Sequence, residues 1–354
     1  MATAPDMTLS DLGWSGFFAA HLAPHAADGM LAARVMAQEK LLYLVRDGSA
    51  ELKAELSGRF LHEAERTDRF PAVGDWVAIR PQNEDRATIH ALLPRRTGVS
   101  RKIPGGKTAE QVIAANIDTV FIVTGLDQEF NPRRIERYVA TVLRGGATPV
   151  LVLNKADLCP DPAVAVARLG PIAAGIAVHA VSALGDSDLA VLKTYTRPGE
   201  TVAFVGSSGV GKSTIINRLL GVERQQTGEV SRAVGKGRHV TTRRELIPIS
   251  GGGLLMDTPG LRELQLWADE RDLAAAFGDV DALARRCRFS NCRHEAEPGC
   301  AVRDALDSGD LAPERLRNYE NMQRELRFLE KRQKWAKMKR HQPRPPEPDG
   351  EDPE

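Results

Sequence analysis

Gly206-Ser207-Ser208-Gly209-Val210-Gly211-Lys212-Ser213 has the form GxxxxGK[ST], a loop that cradles the phosphates of a nucleoside triphosphate. Its context fits. Thr201–Val205 reads as a strand entering the loop, and Thr214–Leu220 as a helix leaving it. The glycines let backbone N–H groups turn toward phosphate oxygens, and the helix presents its positive end to the same anion. Lys212 is expected on the β- and γ-phosphates and the Ser213 hydroxyl on Mg²⁺. A Gly-rich turn without a ligand is the alternative, and the full signature between a strand and a helix weighs against it.

A phosphate loop does not select a base. Asn154-Lys155-Ala156-Asp157 addresses that, at the end of a strand over Thr148–Leu153, where open α/β sheets place their ligand groups. A carboxylate there can accept from the N1–H and 2-amino groups of guanine, a donor pair that adenine lacks. NKxD resembles the guanine-specificity element of GTPases. Ser182-Ala183, after the next strand, resembles the element that offers guanine a main-chain N–H. Asn154 and Ser182 could instead be helix caps. Asp257-Thr258-Pro259-Gly260 has the DxxG form, with Asp257 expected to hold Mg²⁺ and the Gly260 amide to sense the γ-phosphate. A Pro/Gly turn is the alternative there.

An ordinary GTPase runs phosphate loop, switch I, DxxG, NKxD, SA. Here NKxD stands at 154, SA at 182, the phosphate loop at 206 and DxxG at 257. The parts are circularly permuted, which a fold tolerates where its original termini lie close together at the surface. The segment Gly235-Lys236-Gly237-Arg238-His239-Val240-Thr241-Thr242 fits switch I, and Thr241 would complete the Mg²⁺ shell with Ser213 and Asp257. Thr241 and Thr242 also read as entry into a strand from Arg244. Leu261 follows DTPG where Ras-like GTPases carry the Gln that orients the attacking water. Leu cannot do so. His239 is the candidate to position or deprotonate that water, against a solvated loop histidine. Slow intrinsic hydrolysis, accelerated when a partner orders the switch, is the expectation.

The 354 residues, 42% hydrophobic and 27% charged with a net charge of +1, exclude a wholly disordered or fibrous chain. Apolar runs such as Val120–Val123 fall far short of the ~20 residues a spanning helix needs, and no secretory leader opens the chain. A cytoplasmic protein without membrane contact is expected. The reading is multidomain: a leader over 1–30, a β-barrel over 31–105, a permuted α/β GTPase domain over 106–270, a helical zinc-binding domain over 271–342 and a disordered acidic tail over 343–354. Strands over Leu31–Ala37, Leu41–Arg46, Glu51–Leu56, Val73–Arg80 and Ala87–Leu93 suggest a five-stranded OB-fold, with a β-sandwich or SH3-like barrel as alternatives. Thr119–Gly125, Thr148–Asn154, His179–Ser182, Thr201–Gly206 and Leu254–Asp257, with a helix over Asn131–Gly145, give the alternation of a mainly parallel α/β sheet.

Cys287-x4-Cys292-x-His294-x5-Cys300 is a Cys3His set, suited to a closed tetrahedral Zn²⁺ site with a structural role. Cys159 stands alone. From Arg315 to Arg344 the chain carries eleven Lys/Arg against three Asp/Glu, a net +8. Leu316, Tyr319, Met322, Leu326 and Leu329 recur there at helical spacing. A charge run is usually a solvated face. Beside a barrel and a zinc module it reads as RNA-binding, with Trp335 able to stack on a base.

On these motifs, together with Gly74-Asp75-Trp76-Val77 and the stretch from Gln111 to Asp118, the chain resembles the ribosome small-subunit-dependent GTPase A family of bacterial circularly permuted GTPases. The resemblance implies an OB-fold, a permuted GTPase domain and a zinc domain. It also implies GTP, Mg²⁺ and one Zn²⁺, and late binding to the small (30S) ribosomal subunit and its 16S rRNA, by a monomer, followed by hydrolysis to GDP and release. It makes His239 the switch histidine and Thr241 the switch threonine. Val240, where several relatives carry Thr, and the acidic tail depart from the pattern. Two rivals stand beside it: a permuted GTPase acting on another ribosomal particle, and an RNA-binding module with a vestigial nucleotide site.

Overall fold

The computed structural model describes residues 7–39, 41–67, 69–102, 110–127, 130–170, 172–185, 189–207, 209–221, 244–257, 277–289, 292–295, 297–313, 315–317 and 319–320. Strands β1 (Leu31–Glu39), β2 (Leu42–Arg46), β3 (Glu51–Leu56), β4 (Trp76–Pro81) and β5 (Arg86–Leu92) follow helix α1 (Gly16–Ala26), with α2 (Gly58–Thr67) between β3 and β4. They run β1-β2-β3-β5-β4, and β1 also pairs with β4, so the sheet closes. The closure makes this a five-stranded barrel and excludes the sandwich. Tyr43, Val45, Leu52, Ala54, Val77 and Ile89 fill its interior, as the strand alternation requires.

The segment over 1–30 is not merely a leader. Leu12 and Phe18 are buried, and Trp14 meets the Trp76 ring edge-on at 4.7 Å between centroids. The strand expected from Val73 begins at Trp76. Gly74 turns there with φ +90°, and a Cβ on it would sit 2.1 Å from the Ala115 carbonyl, so the chain bends before it can pair.

A hairpin of β6 (Gly98–Lys102) and β7 (Glu110–Ala115) leads into β8 (Thr119–Gly125), α3 (Pro132–Arg144), β9 (Thr148–Asn154), α4 (Pro162–Arg168), β10 (Ala177–Ala180), α5 (Ala190–Lys193), β11 (Thr201–Val205) and α6 (Lys212–Leu220). After these come β12 (Arg244–Pro248), β13 (Leu254–Asp257), α7 (Gly278–Ala284) and α8 (Ala301–Asp307). The strand order is β10-β9-β8-β11-β13-β12. Neighbours are parallel except β12, which is antiparallel to β13. β8 is buried along its whole length, which is why it reads as a continuous apolar run rather than an alternation.

β12 pairs with barrel strand β1, Ala37 opposite Glu245 and Gln38 opposite Arg244, so barrel and α/β strands form one sheet of eleven. Arg34 is buried at this junction. It donates to the carbonyls of Gly74 (3.2 Å) and Asn116 (2.9 Å), to Thr201 Oγ1 (2.9 Å) and to the Leu12 carbonyl. Burial pulls its pKa down to about 10, against the charges of Asp118 and Asp75. The ion stays charged at neutral pH because four acceptors at ~1.5–3 kcal/mol each offset a desolvation cost of several kcal/mol.

Behind the sheet, Phe277, Val280, Val302, Leu311, Leu316 and Tyr319 pack with Ala140 of α3. Among the described residues no helix is long and apolar enough to cross a membrane.

Candidate functional site

The carboxyl ends of β8, β9, β11 and β13 lie on one edge of the parallel sheet, where such folds bind ligands. β9 delivers Asn154, β11 delivers Gly206 and Ser207, and β13 delivers Asp257. Gly211 stands at the N-cap of α6, in the left-handed region, with no side chain capping the helix. The first-turn N–H groups, including those of Ser213 and Thr214, are the kind an anion satisfies. Lys212 is 8% exposed. Its ammonium donates to the Gly206 carbonyl at 2.8 Å and to that of Ser207, so it lies over the loop it is expected to serve.

Asn154 ties three of the four nucleotide motifs together. Its Nδ2 donates to the Val210 carbonyl at 2.8 Å, and its Oδ1 accepts the Ala183 N–H at 2.9 Å. Lys155 adopts φ 62°, and its Nζ meets Asp127 Oδ2 at 2.6 Å. Ala156 donates to the Val181 carbonyl at 3.1 Å, and Asp157 is exposed at the start of a 3-10 turn. Ser182 is buried, and its hydroxyl accepts from Leu184 N at 3.3 Å. Asp257 ends β13 beside β11: Ala203 pairs with Met256, one residue before it. Ser208, His239, Thr241, Thr242, Gly260 and Leu261 lie outside the described residues, as do the segment 321–340 with Trp335 and the acidic tail.

Four further groups make long-range contacts without a sequence signal of their own, three of them at these motifs. Asp127 is the Lys155 partner. Arg134 of α3 donates to the Ser207 hydroxyl. Arg218 of α6 donates to the carbonyls of Gly185 and Leu184, each at 2.9 Å. Glu136, also on α3 and 2% exposed, accepts from Arg315, whose Nε and Nη2 bind Asp279 at 3.0 and 2.8 Å. All four contacts join residues distant in the chain, or in helix surfaces that periodicity leaves anonymous.

Cys287, Cys292, His294 and Cys300 place one ligand atom each within 4.8 Å of one another. Cys287 Sγ lies 3.9 Å from Cys300 Sγ, and His294 Nδ1 lies 3.6 and 3.4 Å from those sulfurs. With Zn–S of about 2.3 Å and Zn–N of about 2.0 Å, tetrahedral edges are about 3.8 Å for S–S and about 3.5 Å for S–N. The residues therefore fit a zinc-sized cation. Desolvation and the neighbouring Cys300 and Cys287 thiols push the Cys292 thiol up to about 11. A divalent cation would reverse that by favouring thiolates. His294 takes φ 62° to turn its ring inward.

The family model described as RsgA GTPase matches residues 92–267. A curated protein of Opitutus terrae, "Small ribosomal subunit biogenesis GTPase RsgA", is 50% identical over 336 residues, covering 92% of each chain. One of the same name from Syntrophotalea carbinolica is 43% identical over 328 residues, covering 90% of each. Among solved structures, YjeQ from Thermotoga maritima is similar at a TM-score of 0.64 and 25% identity, over 84% of this chain and 98% of that one. YloQ, titled a circularly permuted GTPase, shares the fold at a TM-score of 0.62 over 84% of this chain and 95% of that one. A closed barrel, a GTPase sheet in permuted order and a Cys3His cluster thus come with relatives that match nearly end to end, and the chain belongs to the RsgA GTPase family of GTP hydrolases.

Proposed function

We propose that this GTPase binds the small ribosomal subunit, hydrolyses GTP in response, and assists late maturation of that subunit in the cytoplasm as a monomer. The observation that carries the reading is the 50% identity along 92% of the chain to a protein named for small ribosomal subunit biogenesis.

The geometry of the described residues supports the roles given to them, and the motif spacing supports those of Ser208, His239, Thr241 and Gly260. Gly206, Ser207, Ser208, Gly209, Val210, Gly211, Lys212, Ser213 and Thr214 hold the phosphates. Asn154, Lys155, Ala156, Asp157, Ser182 and Ala183 form the base side, with Asp157 accepting from guanine. Bound GTP would draw the Lys212 ammonium from the loop carbonyls to phosphate oxygens, a charge-assisted exchange stronger than the contacts it replaces. Mg²⁺ would neutralise charge developing on the phosphates, held by Ser213, Asp257 and, in the ordered switch, Thr241. His239 positions the attacking water, and the Gly260 amide senses the γ-phosphate.

Cys287, Cys292, His294 and Cys300 hold one structural Zn²⁺, which fixes Arg286, Arg288 and Arg293 beside it for contact with 16S rRNA. The barrel and the basic stretch from Arg315 complete the RNA-binding face. GTP loading favours docking and hydrolysis favours release, because only the triphosphate holds both switch segments. Sedimentation of the protein with purified small subunits tests this. Co-migration in the presence of a non-hydrolysable GTP analogue and loss of it with GDP is expected. Equal co-migration in both states would overturn the timing role, and preferential co-migration with large subunits would favour the rival ribosomal particle.

A further inference from the structure

Arg218 lies six residues after Lys212 on α6, a rise of about 9 Å at 1.5 Å per residue. The helix therefore carries a phosphate-side group at its start and a guanidinium at its end. That guanidinium donates Nη1 to the Gly185 carbonyl and Nη2 to the Leu184 carbonyl, both at 2.9 Å. The same turn is pinned from its other side by Asn154 Oδ1 on Ala183 N. Internally its bonds include Leu184 N to Ser182 Oγ at 3.3 Å and Gly185 N to the Ser182 carbonyl at 3.1 Å. Ser182 and Ala183 are buried but Leu184 is 75% exposed, so packing holds the start of the turn and leaves its Leu184–Gly185 end to Arg218.

We infer that Arg218 is a positioning residue for guanine recognition: it clamps the Leu184 and Gly185 carbonyls from α6 and so holds the Ser182–Gly185 turn in place beside the base. The inference rests on the reading of this edge as a guanine site. An arginine in a last helical turn also interacts favourably with the helix dipole, but a dipole needs no partner in a particular loop. Two parallel N–H···O=C bonds to consecutive carbonyls fix both the position and the orientation of the turn, a geometry suited to a planar guanidinium and not to a lysine ammonium. Because the turn belongs to the proposed base side, the clamp acts on binding rather than on phosphate chemistry.

The test uses the full chain, as wild type, Arg218→Ala and Arg218→Lys. Dissociation of fluorescent GDP, the preference for GDP over ADP in competition, and single-turnover GTP hydrolysis are measured on each. The expected result is about tenfold faster GDP release and about tenfold weaker preference for GDP over ADP in Arg218→Ala. The defect should fall on KM rather than on the single-turnover rate, and Arg218→Lys should recover it only in part. GDP release and selectivity unchanged in Arg218→Ala would overturn the clamp. So would an equal loss of GDP and ADP binding with a lowered hydrolysis rate, the mark of general damage, and Arg218→Lys decides the matter if Arg218→Ala does not fold. A wild-type protein that binds GDP and ADP alike would instead sink the guanine-site reading itself.

Discussion

Asn154 Nδ2 bonds to the Val210 carbonyl at 2.8 Å, across 56 residues of chain. The base-side motif and the phosphate loop are thus one hydrogen-bonded unit although the permutation places the base side first. Asn154 is 2% exposed, so its truncation strands both the Val210 carbonyl and the Ala183 N–H away from water. Each stranded group costs about 1–3 kcal/mol. Asn154→Ala should weaken GDP binding by at least about tenfold and lower Tm; calorimetric titration with GDP that finds native affinity would contradict the bridge.

Gly211 sits at φ +96° with its missing Cβ only 2.1 Å from Asn154 Nδ2. Gly211→Ala would strain the backbone and push against the same bridge. Nucleotide binding should be lost while the far-UV circular dichroism stays native. Retained GDP binding would show that the loop can move aside.

Much of this was legible along the chain because the signals are local. Thr119–Gly125, Thr148–Asn154 and Leu254–Asp257 are short apolar runs bounded by turn residues, and the strands appear with those limits. The motifs carry their own spacing, as does the cysteine cluster. What stayed hidden is long-range or masked by composition. The helix Gly58–Thr67 is almost wholly polar apart from Phe60, Leu61 and Ala64, too sparse a stripe to stand out. The β6–β7 hairpin is interrupted by residues 103–109 and gives no continuous alternation. Arg34, Arg134 and Arg218 look like any surface arginine until the fold brings carbonyls to them.

The Cys3His cluster should bind one equivalent of Zn²⁺ per chain, measurable by metal analysis of the purified protein. Cys287→Ser or prolonged chelation should destabilise the described C-terminal region, because the four ligands are its cross-link. Proteolysis would show faster cleavage after residue 277, with the α/β sheet retained. Full resistance without metal would contradict a structural site.

Arg315 and Glu136 form an ion pair that is 5% and 3% exposed at the side chains. Glu136→Ala removes the buried carboxylate that faces Arg315, and breaking a buried pair typically costs about 3–5 kcal/mol. A denaturant midpoint within error of wild type would show that the pair contributes nothing.

Asp279 is raised by burial but lowered more by the hydrogen bonds and charge of Arg315, and stands below its usual pKa. A carboxylate depressed in the folded state stabilises above its unfolded pKa, about 3.9, and loses that contribution as pH falls through the depressed value. Its side chain is 46% exposed, so screening keeps the effect small. Asp279→Asn should melt slightly below wild type at pH 7, and the gap should close in acid as the carboxylate protonates. A gap that widens in acid would contradict the pairing.

GTP turnover by the purified protein, measured alone, with small subunits and with large subunits, tests the central claim most directly. The account predicts slow turnover alone, strong stimulation by the small subunit, and none by the large. Stimulation by the large subunit, or by neither, would contradict it.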